Sequence, residues 1–462
     1  EEGFYLTDSD TIRFCTAPAT GSTCFIVQSG SALTITTPGD NTVATAKLQN
    51  LAVTTAKIAA DAVDGTKIAD DAVNVEHIAS GFKLVTTDAQ NNTVVGTNAG
   101  DSFSGTDAVG NTLIGKDAGT AITTGDYNIS IGIESLDATT TGSYNTAIGR
   151  QALTSNTTAS YNDGLGYYAL GTNSTGQYNV ALGSKTLAAN TTASYNTAVG
   201  YEALNDNTTG AENCAFGFET LDANTTGSSN TAYGSNALTA NTTASNNTAV
   251  GKGTLDANTT GSNNTAIGYN SLSGNTTAGD NVAVGKDSMY ANTTGTYNTG
   301  LGRSCLESNT TANYNTGVGY SALKQNTTGA DNTAVGYKSL EDNTTAADNS
   351  ALGYIALNSN TTGTQNTAVG KGALTSNTDA SYSTAVGARS LENSTGHSNT
   401  AIGRAALKDN TTGAANTAVG RDALVANTTA GSNNAFGYES LKSTTTGEGN
   451  NAFGNLTLDA NT

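Results

Sequence analysis

The chain has 462 residues, a formal net charge of −19, one methionine and no tryptophan. With 54 glycines but only 2 prolines it fits neither collagen nor a proline-rich linker, and at 12% charged residues it is no solvated polyampholyte. An acidic chain without a Lys/Arg cluster has no footprint for nucleic acid, and no run of about 20 apolar residues offers membrane insertion.

Residues 1–40 form a distinct N-terminal region. Thr11-Ile12-Arg13-Phe14-Cys15 and Cys24-Phe25-Ile26-Val27 flank a turn containing Pro18 and Gly21, which predicts a β-hairpin. Cys15 and Cys24 lie at matching ends of it, so a disulfide and a pair of small buried thiols both fit. Residues 41–80 repeat with period 10. Val43, Val53, Val63 and Val73 align, as do Leu48, Ile58, Ile68 and Ile78. Two large apolar residues in ten are too few for one chain to make a core, whereas three chains around an axis can. This is the stronger sequence argument for a homotrimer. Residues 81–114 read as an irregular transition.

Residues 115–462 are an array. Glycines recur at Gly115, Gly132, Gly149, Gly166, Gly183 and Gly200, 17 residues apart, and continue to Gly387. One step of 16 follows, to Gly403, because Leu391-Glu392-Asn393 is one residue short. The typical unit is Asn196 to Glu212. Four residues after the glycine stands Leu in every unit from Leu136 to Leu458, with Met289 the one exception, and before it a bulky apolar residue such as Ile131, Ile148, Leu165 or Leu182. These two columns are expected to form a continuous core, separated by columns of small residues such as Ala147, Ala181 and Ala198. A helix does not fit, because Asn-Thr-Thr-Gly in each unit leaves too few residues for helical turns. The predicted fold class is all-β: an elongated parallel β-solenoid of 17-residue coils, intertwined or packed as a homotrimer. At about 4.8 Å per coil, the 20 glycines from Gly132 onward give roughly 95 Å. The adjacent apolar pairs Ala198-Val199 and Ala203-Leu204 suggest that both faces of a strand are covered, one by the coil interior and one by neighbouring chains.

The period-10 segment around Ala52-Val53-Thr54-Thr55-Ala56-Lys57-Ile58-Ala59-Ala60-Asp61 resembles the shaft repeats of bacteriophage tail fibres. The Asn-Thr-Ala-Val-Gly units resemble those of long phage fibres and other bacterial surface proteins. They are also similar to the repeats of trimeric autotransporter adhesin heads, which form trimeric left-handed β-rolls. The resemblance implies a homotrimeric extracellular fibre of the virion, joined to the tail or baseplate on its N-terminal side. A distal tip would meet a host surface glycan or protein. A bacterial cell-surface adhesin or extracellular filament is the alternative. The chain stops within a turn, at Asp459-Ala460-Asn461-Thr462, so the tip is expected to lie outside these residues.

Little chemistry is expected. His77 stands in a column of lysines and His397 in a turn beside the short unit, with no ligand set around either. Cys214 and Cys305 replace small residues and read as space-fillers. Glycine pairs such as Gly164 and Gly166 follow coil geometry, not phosphate binding. Glu202 and Glu219 occupy a variable surface position, so no catalytic pair, metal or cofactor is predicted and no enzyme is expected. One column invites binding: Tyr167, Tyr201, Tyr269, Tyr320, Tyr337 and Tyr354 follow the unit glycine. Exposed aromatics stack on sugar faces, giving weak glycan contact, or stack on each other and on Lys/Arg. The Asn-Thr-Thr triplets are also N-glycosylation sequons, which a eukaryotic secretory pathway would coat with sugar.

Overall fold

The computed structural model describes residues 4–6, 12–14, 20, 88–103 and 107–460. The chain divides into two units, Glu1–Asn74 and Val75–Thr462. In the first, β1 (Phe4–Leu6) pairs antiparallel with β2 (Ile12–Phe14), with Phe4 opposite Phe14. The expected strand around Ile12 therefore forms, and its described partner is the segment before it. Cys15, Cys24 and the whole period-10 segment lie outside the described residues.

The second unit is an all-β parallel solenoid. Its 22 three-residue strands run from β3 (Thr93–Val95) to β24 (Asn451–Phe453), each paired in parallel with its sequence neighbours, and no helix occurs among the described residues. Coils begin earlier than the array reads in sequence, because Thr93–Val95 already pairs with Thr112–Ile114. The register never slips: Ala198 faces Ala215, which faces Ala232. At about 4.8 Å between strands the ladder extends roughly 100 Å.

One coil explains all of them. Thr197–Val199 is the strand, and Gly200 turns out of it with φ +135. Residues 201 to 206 bend around the far side, and Asn207 points inward at 0% exposure. Backbone groups bond to adjacent coils around the circumference. Thr197, Leu204 and Thr208 donate their N–H to Asn213, Thr220 and Thr225 of the next coil at 2.8, 3.0 and 2.9 Å. Gly200 and Glu212 donate to Leu182 and Ser194 of the previous one. Each coil therefore satisfies its backbone only when stacked, as solenoid repeats generally do.

Side-chain amides complete the ladder in two columns. The Asn213 N–H donates to Asn196 Oδ1 at 2.9 Å, and Asn207 Nδ2 donates to Asn190 Oδ1 at 3.0 Å. The Gly210 carbonyl accepts from both columns, from Asn196 Nδ2 at 3.0 Å and Asn207 Nδ2 at 2.9 Å. One column is the asparagine of Asn-Thr-Thr, the other the asparagine before the strand, and both face inward. The first threonine adds a rung, Thr208 Oγ1 to the Thr225 carbonyl at 2.9 Å.

The core corrects one expectation. Leu136, Leu153, Leu170 and their successors are fully buried as read. The bulky residue before each glycine is not core: Leu182 is 46% and Tyr233 59% exposed, while Ala147, Ala181 and Ala198 are buried. Strand geometry decides this. Successive side chains alternate, so Thr197 and Val199 share one side and Ala198 the other. With Leu204, Asn196 and Asn207 already inside, only a methyl group fits opposite them.

That narrow interior forces unusual backbone. Glu202, Leu204 and Glu212 have left-handed φ of 53, 53 and 59, and equivalents recur in nearly every coil. Each left-handed non-glycine costs about 1 kcal/mol or more, offset here by the bonds between coils. It also couples neighbouring columns. Where Cys305 takes the place of alanine, the strand residue of the next coil is Gly317, and a Cβ there would lie 2.5 Å from Cys305 Sγ. Gly317→Ala is therefore expected to destabilise by about 1–3 kcal/mol through overpacking. Adding Cys305→Ala should restore most of it. Denaturation of the four members of the cycle checks this, and additive effects would contradict the contact.

The 16-residue step preserves strand register, with Thr384 opposite Thr400. The place of the missing residue differs from the sequence reading: Leu391-Glu392-Asn393 is full length, Ser394 takes the inward asparagine place and accepts from Asn410 Nδ2 at 2.9 Å, and Ser394-Thr395-Gly396 lacks one threonine of the usual Asn-Thr-Thr-Gly.

Candidate functional site

Three outward columns run along the solenoid, and each arises from strand alternation or from the two bends. The first is the strand face. The outward positions, Thr197 and Val199 and their equivalents, are overwhelmingly Thr, Val, Ile, Leu, Phe or Tyr. In a chain of net charge −19, these two columns carry one charged residue, Asp163. Ile148, Leu182, Ile267, Leu301, Leu352 and Ile402 stand exposed on it.

The second column follows the turn glycine and holds the six tyrosines read as glycan contacts. Tyr167, Tyr201, Tyr269, Tyr320, Tyr337 and Tyr354 are all exposed, between 42 and 49%. They are not equivalent. Tyr337 stacks on Tyr320 and on Tyr354 with centroids 5.3 and 5.2 Å apart, so both of its faces are covered. The remaining faces of that triplet meet cations, Arg303 at 5.9 Å from Tyr320 and Lys371 at 5.7 Å from Tyr354. Lys286 lies 5.6 Å from Tyr269. Tyr201 stacks on Phe218 at 5.7 Å, and Arg150 lies 6.0 Å from Tyr167. Mutual stacking and cation–π contact thus account for many of the ring faces.

The third column precedes the strand asparagine. Tyr127, Tyr144, Tyr161, Tyr178 and Tyr195 form one continuous stack, with centroids 5.0 to 5.2 Å apart. Their hydroxyl edges, rather than their faces, meet solvent along most of its length. All five have left-handed φ, as do Glu212, Ser229 and Asn246 at the same place in later coils. The 17-residue spacing of these tyrosines is legible in the sequence, their mutual stacking only in the fold.

Several ionisable groups are engaged in local pairs. Lys185 Nζ lies 2.8 Å from Glu202, and this bond holds the Glu202 carboxyl below and the lysine above their ordinary values. Glu219 accepts from Asn236 Nδ2 at 3.2 Å. Asp222 behaves differently. Burial, followed by the charges of Asp206, Glu202 and Glu219, pushes its carboxyl up to about 6, and its Oδ1 has no hydrogen-bond partner. A folded value above the unfolded 3.8 means that the penalty is full above pH 6 and is relieved as the pH falls toward 4. Asp222→Asn is therefore expected to stabilise these coils at pH 7 by about 1 kcal/mol after solvent screening, with no gain at pH 4. Amide hydrogen exchange of Cys214–Phe216 and Thr231–Tyr233 at both pH values reads this out, and an equal gain at both would contradict it.

Cys305 is buried, and desolvation pushes its thiol up to about 12, consistent with a space-filler. Cys214 takes an outward strand place and is partly exposed. His397 Nδ1 accepts the Ser381 N–H at 3.0 Å, so it caps the turn of the coil before its own. His77 lies outside the described residues. Among the described residues no group of three His, Cys, Asp or Glu is placed to hold a metal, and no helix is long and apolar enough to cross a membrane. The Asn-Thr-Thr sequons require correction. Asn190, Asn207 and Asn224 are fully buried with Nδ2 donating to an amide and a carbonyl, so the folded coil leaves no room for a sugar on them.

No family model matches this chain, and no curated protein matches it.

Proposed function

We propose that the solenoid is the shaft of a homotrimeric extracellular fibre, a tail fibre of a phage virion that holds a receptor-binding element away from its anchor. The observation that carries this reading is the strand face. One of its two outward columns is bulky and apolar and the other mostly threonine, Asp163 is their one charged residue, and both continue over all 22 rungs of an otherwise acidic chain. Ile148, Leu182, Ile267, Leu301, Leu352 and Ile402 stand exposed on it, and a continuous row of exposed apolar side chains of this kind marks an association surface. A partner must offer a matching stripe with the same spacing of about 4.8 Å over roughly 100 Å. Other copies of this chain meet that requirement.

The role is mechanical, not enzymatic. Stacked amides and parallel strands resist bending, and association through the strand faces hides their apolar columns. The virion assignment rests on the sequence resemblance of the repeats. Attachment to the tail or baseplate through the N-terminal side belongs to the same proposal.

Two measurements test it. Sedimentation equilibrium of the full chain should give three times the monomer mass, and Leu352→Lys should weaken association. A monomer at micromolar concentration would overturn the shaft assembly. Immunogold electron microscopy with antibody to the array should label phage appendages. Gold on cell envelopes or detached filaments would instead establish the adhesin or filament reading.

A further inference from the structure

The column after the turn glycine contains a missing rung. In three successive coils Tyr320, Tyr337 and Tyr354 stack continuously, with interplanar angles of 13° and 8°. In another three the same places are Tyr167, Ser184 and Tyr201. The strands beside them keep perfect register, Leu165 opposite Leu182 and Leu182 opposite Val199. Tyr167 and Tyr201 are therefore two coil rises apart, about 9.6 Å, as are Tyr320 and Tyr354, between which a six-membered ring sits.

Both walls of the gap are braced from outside. Tyr201 is stacked on Phe218 at 5.7 Å and 13°. Tyr167 has Arg150 at 6.0 Å and Tyr168 tilted against it at 6.1 Å. The rim is polar: Lys185 pairs with Glu202 at 2.8 Å, and the Tyr201 hydroxyl donates to Glu202, which raises the phenol above its ordinary value.

We propose that this gap binds one pyranose ring of a neutral glycan, sandwiched between Tyr167 and Tyr201 above Ser184. A ring of β-gluco configuration carries axial C–H groups on both faces and hydroxyls around its edge. The C–H faces meet the electron-rich faces of the two phenols. The edge hydroxyls reach Ser184 on the floor and the Lys185–Glu202 pair at the rim. The chain's net charge of −19 disfavours an anionic sugar. A flat aromatic ligand would fill the same space, but it would leave the polar rim unused. Of the six tyrosines in this column read as glycan contacts, this pair alone flanks a rung occupied by a small residue.

The test uses the full chain and methyl β-D-glucopyranoside, followed by saturation-transfer difference NMR, with a millimolar Kd expected for a single ring. Ser184→Tyr completes the ladder with a residue the column already tolerates, and should reduce the transfer at least about fivefold, to background. Tyr337→Ser opens a second gap between Tyr320 and Tyr354 and should raise the number of bound sugars from one to two. Circular dichroism confirms that both variants remain folded. Undiminished transfer in Ser184→Tyr would overturn the proposal. So would absence of transfer in the natural chain, including the case in which p-cresol binds and the sugar does not.

Discussion

Replacing Gly251 by alanine is expected to break the solenoid at that coil, at a cost of about 3 kcal/mol or more. Two effects add. Gly251 has φ +134, a region that L side chains enter at a cost of about 1–3 kcal/mol. A Cβ there would also lie 2.5 Å from the Gly268 carbonyl oxygen and 2.7 Å from its carbon. Both atoms belong to the backbone of the next coil, which cannot move without breaking the bond from the Gly268 N–H to the Val250 carbonyl at 2.8 Å. Gly253, two residues on, is the control. Its φ of 62 is ordinary left-handed backbone, and Asn236 and Asn270 hold the same place in adjacent coils with φ of 59 and 51. Gly253→Asn should change stability by less than about 1 kcal/mol. Because coils contact only their neighbours, Gly251→Ala should give two melting phases in place of one cooperative loss. Hydrogen exchange should place the weak point between Thr248–Val250 and Thr265–Ile267. A variant that melts as the natural chain does would show that the turn has an alternative conformation.

Asn258→Asp is expected to cost about 4 kcal/mol at pH 7, and less in acid. Asn258 Nδ2 donates to Asn241 Oδ1 at 3.1 Å and to the Gly261 carbonyl at 3.0 Å, and Asn258 Oδ1 accepts from Asn275 Nδ2 at 2.8 Å. A carboxylate keeps the acceptor but supplies no donor, so two acceptors would face a fully buried negative charge. Burial raises the folded pKa of such a group above the unfolded value near 3.9. The penalty is therefore complete above the folded pKa and shrinks as the pH falls through it, since the protonated acid regains one donor. Asn258→Ser should be milder, because Ser394 already holds this place in the short coil. Denaturation at pH 7 and pH 4 separates the two. Equal losses at both pH values for the aspartate variant would mean that packing, rather than charge, dominates.

Much of the fold was legible before any coordinates. A glycine every 17 residues, a leucine four places later and Asn-Thr-Thr at constant distance require one conformation repeated along an axis, and a parallel stack of coils satisfies that. The one shortened step was visible too, but it reads as a loss from Leu391-Glu392-Asn393, whereas the folded coil loses a threonine between Ser394 and Gly396. Only the folded coil shows Ser394 entering the amide column. The aromatic columns could be counted in the sequence, but whether a ring face is open depends on the residues one coil above and below. Tyr337 is closed on both sides, whereas Tyr167 and Tyr201 flank a serine.

The sequence by itself determined the period, the parallel all-β class and the buried leucine column, because a repeating interior requires a repeating residue. Only the tertiary structure decided which side of each strand is inside. Hydrophobicity favours Val199 over Ala198 for the core, yet the valine faces out. The coil is narrow, and Leu204 with two inward asparagines fills it until only a methyl group fits. The same crowding puts Leu204 in left-handed backbone that its own preferences oppose. Hydrogen bonds to the coils above and below hold it there, and those bonds exist only once the stack has formed.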